Sequence, residues 1–166
     1  IPHSAVRNYV MGERALRHED ATSDDLEAMT KIVRDGLNAG ALGFSTSRTI
    51  GHRSILGEPI PGTFAEKAEL LAIGRAMKDV NKGVFQAVPA GVVGDIAGPE
   101  KWTTEQEVEL FAEIARASGR SCTFTLAQNG NRPDQWRRCL DIVEKANAEG
   151  ISITPQIATR PIGFVT

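Results

Sequence analysis

The sequence predicts an α/β fold in which about five short parallel strands alternate with four helices. A helical stretch runs four times into a glycine and then into a short apolar segment, at Gly40, Gly83, Gly119 and Gly150. The segments after the glycines are apolar on both faces, as in parallel sheets that are covered on both sides. Each segment is followed by a helical pattern long enough to carry the chain back to a parallel neighbour.

Each predicted strand is only a few residues long and is bounded by turn residues. They are Ser4–Val10, Ala41–Ser45, Val84–Val88, Ser121–Leu126 and Ile151–Gln156. Crossovers through helices between consecutive strands make the connections right-handed and the strands parallel.

The predicted helices begin at recognisable signals. Thr22–Asp25 and Thr63–Glu66 have the form of a capping box, in which a hydroxyl residue precedes a carboxylate by three positions. Thr104–Glu107 has the same form and opens a third helix, and Pro133 suits the first turn of a fourth. Apolar residues at helical spacing follow each of these starts.

Composition excludes several classes of protein. The 166 residues fit one domain, and a charged content of 24% is ordinary for a globular protein. A formal net charge of -2 gives no electrostatic reason to expect nucleic acid or an anionic membrane as partner. The two cysteines, Cys122 and Cys139, form no CxxC pair, which argues against a disulfide framework and favours a cytoplasmic setting.

Two arrangements of the strands remain open at this point, an open doubly wound sheet and part of a (βα)8 barrel. No GxGxxG follows a predicted strand and no GxxxxGK[ST] occurs, which argues against a nucleotide-binding open sheet. In both arrangements the chemistry lies where the strands end.

The best candidate site is the polar cluster at the end of the second predicted strand. Ser45, Arg48 and His52 are predicted to face the substrate, with Arg48 binding a carboxylate through its two-pronged guanidinium. A solvated loop is the alternative for this cluster. The other strand ends supply mainly neutral amides, which bind polar groups but do not ionise near neutral pH: Gln86, Gln128, Asn129, Gln156 and the one base, Arg160.

No catalytic or metal-binding pattern is readable in the residues. The histidines His3, His18 and His52 lack the spacing of HxH or HExxH, so no metal ligands are assigned. His3 is expected to be a packed or capping residue, and no Ser/His/Asp grouping is evident.

The order of several segments resembles the D-aminoacylases, which are N-acyl-D-amino-acid deacylases of the amidohydrolase superfamily. The resemblance rests on His3–Arg7 followed by Val10–Gly12, on Gly40–Thr46, which is its most specific part, and on Pro61–Thr63 with Glu69 and Leu70. It implies a partial (βα)8 TIM barrel in which residues 1–166 form a single segment resembling strands three to seven. The beginning and end of the chain agree with a fragment of a longer protein.

The resemblance also implies zinc in the intact enzyme, at the carboxyl ends of the strands. The family's two zinc-binding histidines on these strands align with Val88 and Leu126, neither of which coordinates zinc. No ligand set is therefore identified in this chain, and its catalytic residues stay unknown.

The leading hypothesis is a segment of an amidohydrolase that cleaves the amide bond of an N-acyl amino acid. The alternative is a degenerate, non-catalytic barrel that binds a small molecule. The segment alone is expected to be inactive and to form homo-oligomers through exposed strand edges, because five parallel strands do not close a barrel.

Overall fold

The computed structural model describes residues 1–92 and 102–159, which form six helices and four strands. In chain order they are α1 (His3–Met11), α2 (Glu13–Leu16), α3 (Ser23–Asn38), β1 (Gly43–Ser47), α4 (Lys67–Val80), β2 (Val84–Val88), α5 (Thr104–Ser118), β3 (Cys122–Thr125), α6 (Gln135–Ala148) and β4 (Ile153–Gln156). The predicted α/β class is confirmed, with one described strand fewer and two described helices more than expected.

The four strands form one parallel sheet in the order β1-β2-β3-β4. α3 packs on α4, α4 on α5, and α5 on α6, so the connecting helices form one layer. A doubly wound sheet reverses its strand order and carries helices on both faces. The unreversed order seen here is the winding of a (βα) barrel, and the structure is consistent with a partial TIM-barrel-like fold.

The predicted first strand, Ser4–Val10, is wrong, because this segment is helix α1. Its buried residues, His3, Val6, Arg7 and Met11, recur at helical spacing and form one face of the helix. Strand pairing is limited to the residues before the helix, where Pro2 forms a parallel bridge with Ser45. Residues 1 and 2 therefore run parallel to β1 along its edge.

The core lies between the sheet and the helix layer. Alternate residues of the strands point into it, among them Phe44, Phe85, Phe124 and Ile153, each no more than 1% exposed. They pack against helix residues such as Phe111, whose ring centroid lies 5.9 Å from that of Phe124. Because side chains alternate across a strand, the residues between these positions occupy the opposite, open face of the sheet.

The predicted helix starts are confirmed to differing degrees. Thr22 and Asp25 form both hydrogen bonds of a capping box at the start of α3. The box at α5 lies one residue earlier than predicted, on Thr103 and Gln106. Thr63 caps no helix, since its hydroxyl donates to the Ile60 carbonyl and α4 begins after Glu66.

The helices in the described part of the chain include none that combines the length and the apolar character required to cross a membrane.

Candidate functional site

The open face of the sheet is lined by hydroxyl and amide side chains. Ser45 of β1 is in register with Gln86 of β2, Gln86 with Thr123 of β3, and Thr123 with Thr154 of β4. We call these four residues the polar row. None of the four side chains forms a hydrogen bond to another described residue. Of the amides predicted at strand ends, Gln156 is the last residue of β4, whereas Gln86 is the middle residue of β2; both lie on this face.

The carboxyl end of β1 adds a histidine above the same face. The Ser47 hydroxyl, on the open face two residues beyond Ser45, lies 2.7 Å from Nδ1 of His52. His52 begins a hairpin over residues 52–60, which is closed by a bridge between Arg53 and Pro59. The Ser54 amide donates to the Glu58 carbonyl at 2.8 Å, and this backbone hydrogen bond stabilises the hairpin. Of the predicted site residues, Ser45 and His52 are thus brought to one side of the sheet.

Arg48 lies on the other side, in the helix layer. Its Nε donates to Oε2 of Glu107 at 2.7 Å and to Oε1 at 3.0 Å, and its Nη1 donates to the Ala65 carbonyl at 2.6 Å. Both charged side chains are no more than 1% exposed. The guanidinium thus already holds a carboxylate, although its Nη2 has no hydrogen-bond partner. The predicted contact between Arg48 and a substrate carboxylate stays a prediction.

A second buried polar cluster lies beside β1 and was not predicted. His3 Nε2 donates to Oε1 of Glu69 at 2.6 Å, and His3 Nδ1 lies 2.8 Å from the hydroxyl of Thr46. Arg7 Nε lies 3.1 Å from the same Glu69 oxygen, and its Nη2 donates to the Glu19 carbonyl. The expectation that His3 is a packed residue is confirmed, because it is 2% exposed and both ring nitrogens are engaged.

The sequence did carry a signal for both buried ion pairs. Glu69 stands four residues before Ile73, and Glu107 stands four residues before Phe111, so each carboxylate falls on the apolar face of its helix. Buried carboxylates require a partner. Such a pattern therefore predicts a buried cation nearby, although it does not tell which arginine supplies it.

The positions that the resemblance aligns with zinc-binding histidines point in different directions. Val88 is half-buried at the end of β2 on the open face, whereas Leu126 packs in the core on the helix side. Thr125 occupies the open face next to Leu126. Within residues 1–92 and 102–159 no three His, Cys, Asp or Glu residues are grouped so as to hold a metal ion. These residues do not fit a zinc site.

The remaining candidates lie away from this face. Cys122 and Cys139 are free thiols buried in the core, and burial raises the pKa of each to about 12. A loop follows β3, in which Asn129 accepts a hydrogen bond from the Asn131 amide. Arg160 lies outside the described residues.

A cavity of about 290 Å³ opens at the amino-terminal end of the sheet, beside Arg116 and Arg120. Because (βα) arrays place their chemistry at the carboxyl ends of the strands, we do not assign it to the site.

The parallel sheet and its single layer of helices are consistent with part of a barrel-type α/β protein. A model of the amidohydrolase family matches residues 1–162, and the chain belongs to this family. Membership supports a hydrolase function, and members of the family commonly bind metal. Comparison with curated proteins and with solved structures found no match.

Proposed function

We propose that this chain supplies part of the substrate-binding wall of an amidohydrolase that cleaves the amide bond of an N-acyl amino acid or a related amide. The observation that carries the proposal is the open face of the sheet, where hydrogen-bonding side chains stand in register on four strands. Family membership supports the hydrolase class, and the resemblance of Gly40–Thr46 to the D-aminoacylases supports the substrate class.

Ser45 and His52 take the substrate-contacting roles in this proposal. Ser45 is half-buried on the open face, and His52 is held above that face by the Ser47 hydroxyl through Nδ1. The Nε2 atom of His52 forms no hydrogen bond with another described residue. A hydroxyl within a strand and an imidazole beyond its carboxyl end can hold the polar groups of a small ligand.

Arg48 acts in this proposal mainly by organising the end of the strand. Its backbone amide donates to the Val88 carbonyl at 2.8 Å, which extends the pairing of β1 with β2. Its side chain joins that strand end to Glu107 in the first turn of α5. Its Nη2 atom is buried on the helix side of the sheet without a hydrogen-bond partner, and contact of Arg48 with a substrate carboxylate stays a prediction.

The proposal includes zinc only as a cofactor expected in the intact protein. The described residues supply no ligand set for it, so we derive no catalytic step through a metal.

A second function, a non-catalytic module that binds a small molecule, is favoured by one observation. The ten open-face positions of the four strands carry only Gly, Ser, Thr, Val and Gln, so none can act as a general acid or base. Val88 stands among them at the position that the resemblance assigns to a ligand. Both functions require a small-molecule partner. In both, the chain is also proposed to form homo-oligomers through its exposed strand edges.

The two functions are separated by an experiment on the full-length parent protein. Metal content is measured together with hydrolysis of N-acetyl amino acids of both configurations. The proposed enzyme releases acetate, and Ser45→Ala raises its KM. Ser121→Ala, at the opposite end of the sheet, is the matched control and leaves KM unchanged. Absence of hydrolysis by protein that still binds these compounds would establish the binding module instead.

A further inference from the structure

We propose that Asn129 is a site of spontaneous deamidation in the folded protein, at which the side-chain amide is converted into a carboxylate through a cyclic imide. The proposal concerns a covalent modification of the loop that follows β3, and it stands independently of the proposed function.

The first argument is the sequence of this loop. Asn129 is followed by Gly130, and this is the one Asn-Gly pair in the chain. The reaction requires the backbone nitrogen of the following residue to reach the side-chain carbonyl carbon, and a glycine places no side chain in the way of that approach. A Cβ added at Gly130 would meet no atom within 4 Å, so neighbouring residues leave the approach open as well.

The second argument is that the reacting groups are not held by the fold. Neither the backbone amide of Gly130 nor Nδ2 of Asn129 forms a hydrogen bond with another described residue. Gly130 is exposed and Asn129 is half-buried, so water reaches the loop. The attacking nitrogen therefore gives up no hydrogen bond of the native structure when it reacts.

The third argument is the geometry of the turn. Oδ1 of Asn129 accepts a hydrogen bond from the Asn131 amide at 2.9 Å, and the Asn129 carbonyl accepts one from the Arg132 amide at 3.1 Å. The first bond folds the side chain back along the chain past Gly130. The same bond polarises the side-chain carbonyl and stabilises the negative charge that develops on Oδ1 during the attack.

The reaction needs only water as co-reactant. The Gly130 nitrogen forms a bond to Cγ of Asn129, the bond between Cγ and Nδ2 breaks, and the Gly130 proton leaves with Nδ2 as ammonia. Water then opens the imide, giving its hydroxyl to one of the two carbonyl carbons and its proton to the imide nitrogen. The product is an aspartate or an isoaspartate, and either adds a negative charge to the loop at the carboxyl end of β3.

The test follows the full-length parent protein during incubation in a mildly alkaline buffer. Peptide mass spectrometry measures the deamidated fraction at each asparagine, and ion exchange separates the acidic species. We expect modification at Asn129 to exceed that at Asn131 severalfold, because Asn131 is exposed in the same loop but precedes the bulky Arg132. The variant Asn129→Asp marks the position at which the aspartate product elutes.

Two further variants change the reaction at this position. Gly130→Ala places a methyl group beside the attacking nitrogen and is expected to slow the reaction severalfold, while the added Cβ itself meets no neighbour. Asn129→Gln keeps an amide but requires a larger ring, so the acidic species should no longer form. The unfolding midpoint of each variant verifies that the protein is folded.

Protein unfolded in urea provides the reference, because its Asn129 reacts without the turn. Modification of Asn129 in the unfolded chain but not in the folded protein, over the same time, would overturn the proposal. An acidic species that forms at an unchanged rate in Asn129→Gln would assign the reaction to another residue and would overturn it as well.

Discussion

The guanidinium of Arg48 and the carboxylate of Glu107 form a buried ion pair, with Nε 2.7 Å from Oε2 and 3.0 Å from Oε1. The pair joins the carboxyl end of β1 to the first turn of α5. The pair lies on the helix side of the sheet, whereas the polar row lies on the open face. The buried charges of this region therefore contribute to the stability of the fold.

We expect Arg48→Met to lower the free energy of unfolding of the parent protein by about 3 to 5 kcal/mol, because it leaves a carboxylate buried without its cation. The double variant Arg48→Met/Glu107→Leu removes both charges and should recover most of that loss. Denaturant titration measures both. If the double variant is as unstable as the single one, the ion pair is not what stabilises this junction.

The same double variant tests the predicted substrate contact of Arg48. A role confined to the scaffold predicts that KM returns to its normal value when stability returns. A stable double variant whose KM remains raised would instead show that the Arg48 side chain reaches the substrate.

Gly62 is packed against the imidazole of His3, and we expect Gly62→Ala to disturb the His3–Glu69 cluster. An added Cβ would lie 2.7 Å from His3 Nδ1, and the backbone φ is +97°. Gly57, with φ +82° and no atom within 4 Å of an added Cβ, is the control for backbone strain alone. Gly57→Ala should cost about 1 to 2 kcal/mol, and Gly62→Ala about 1 to 3 kcal/mol more. Equal costs in thermal unfolding would show that His3 moves aside freely.

The tip of the 52–60 hairpin exposes two large apolar side chains, Ile55 at 102% and Leu56 at 83%. Because neither is buried, we expect Ile55→Ser/Leu56→Ser to change the free energy of unfolding by no more than about 0.5 kcal/mol per residue. Leu70→Ala, at a position that is 0% exposed, should cost about 2 to 5 kcal/mol. A large loss of stability from the serine variant, measured by denaturant titration, would show that the tip is covered in the native protein.

The thiols of Cys122 and Cys139 should be unreactive in the folded protein, because burial raises the pKa of each to about 12. Protonated thiols do not react with iodoacetamide, so labelling at pH 8 is expected only after urea is added. The folded state holds these protons more tightly than the unfolded state. Stability should therefore fall as the pH rises from about 9 to 12. Rapid labelling of the folded protein would contradict this expectation.

A polypeptide of residues 1–166 alone should self-associate and lack hydrolase activity. β4 pairs only with β3 among the described strands, so its outer edge presents unpaired backbone groups. Sedimentation at increasing concentration is expected to show dimers or larger species. A monodisperse monomer at all concentrations would contradict this view of the sheet edge.

The sequence predicted the repeating part of the fold well, because strand, glycine and helix signals recur together. Val84–Val88 has the predicted boundaries, and three other strands overlap their predicted ranges. The segment 4–10 was misassigned because Arg7 interrupts its apolar pattern, and only the structure shows that this arginine is buried against Glu69. Periodicity places Glu69 on the apolar face of its helix but does not tell which arginine pairs with it.

The candidate site was predicted only in part, for a geometric reason. Ser45 and Arg48 are three residues apart at the end of a strand, so they point to opposite sides of the sheet. The sequence placed both in one cluster because it shows proximity along the chain. It also left the polar row unseen, since register between strands is a property of the folded sheet.

Alternation along the strands has a consequence for how this protein can change. Phe85 and Gln86 are adjacent in the chain, yet Phe85 is buried in the core and Gln86 lies half-buried on the open face of the sheet. Substitutions at the open-face positions therefore leave the packing between the sheet and the helices unchanged. For a designer, Ser45, Gln86, Thr123 and Thr154 form a panel that can be randomised as a set on an otherwise fixed framework.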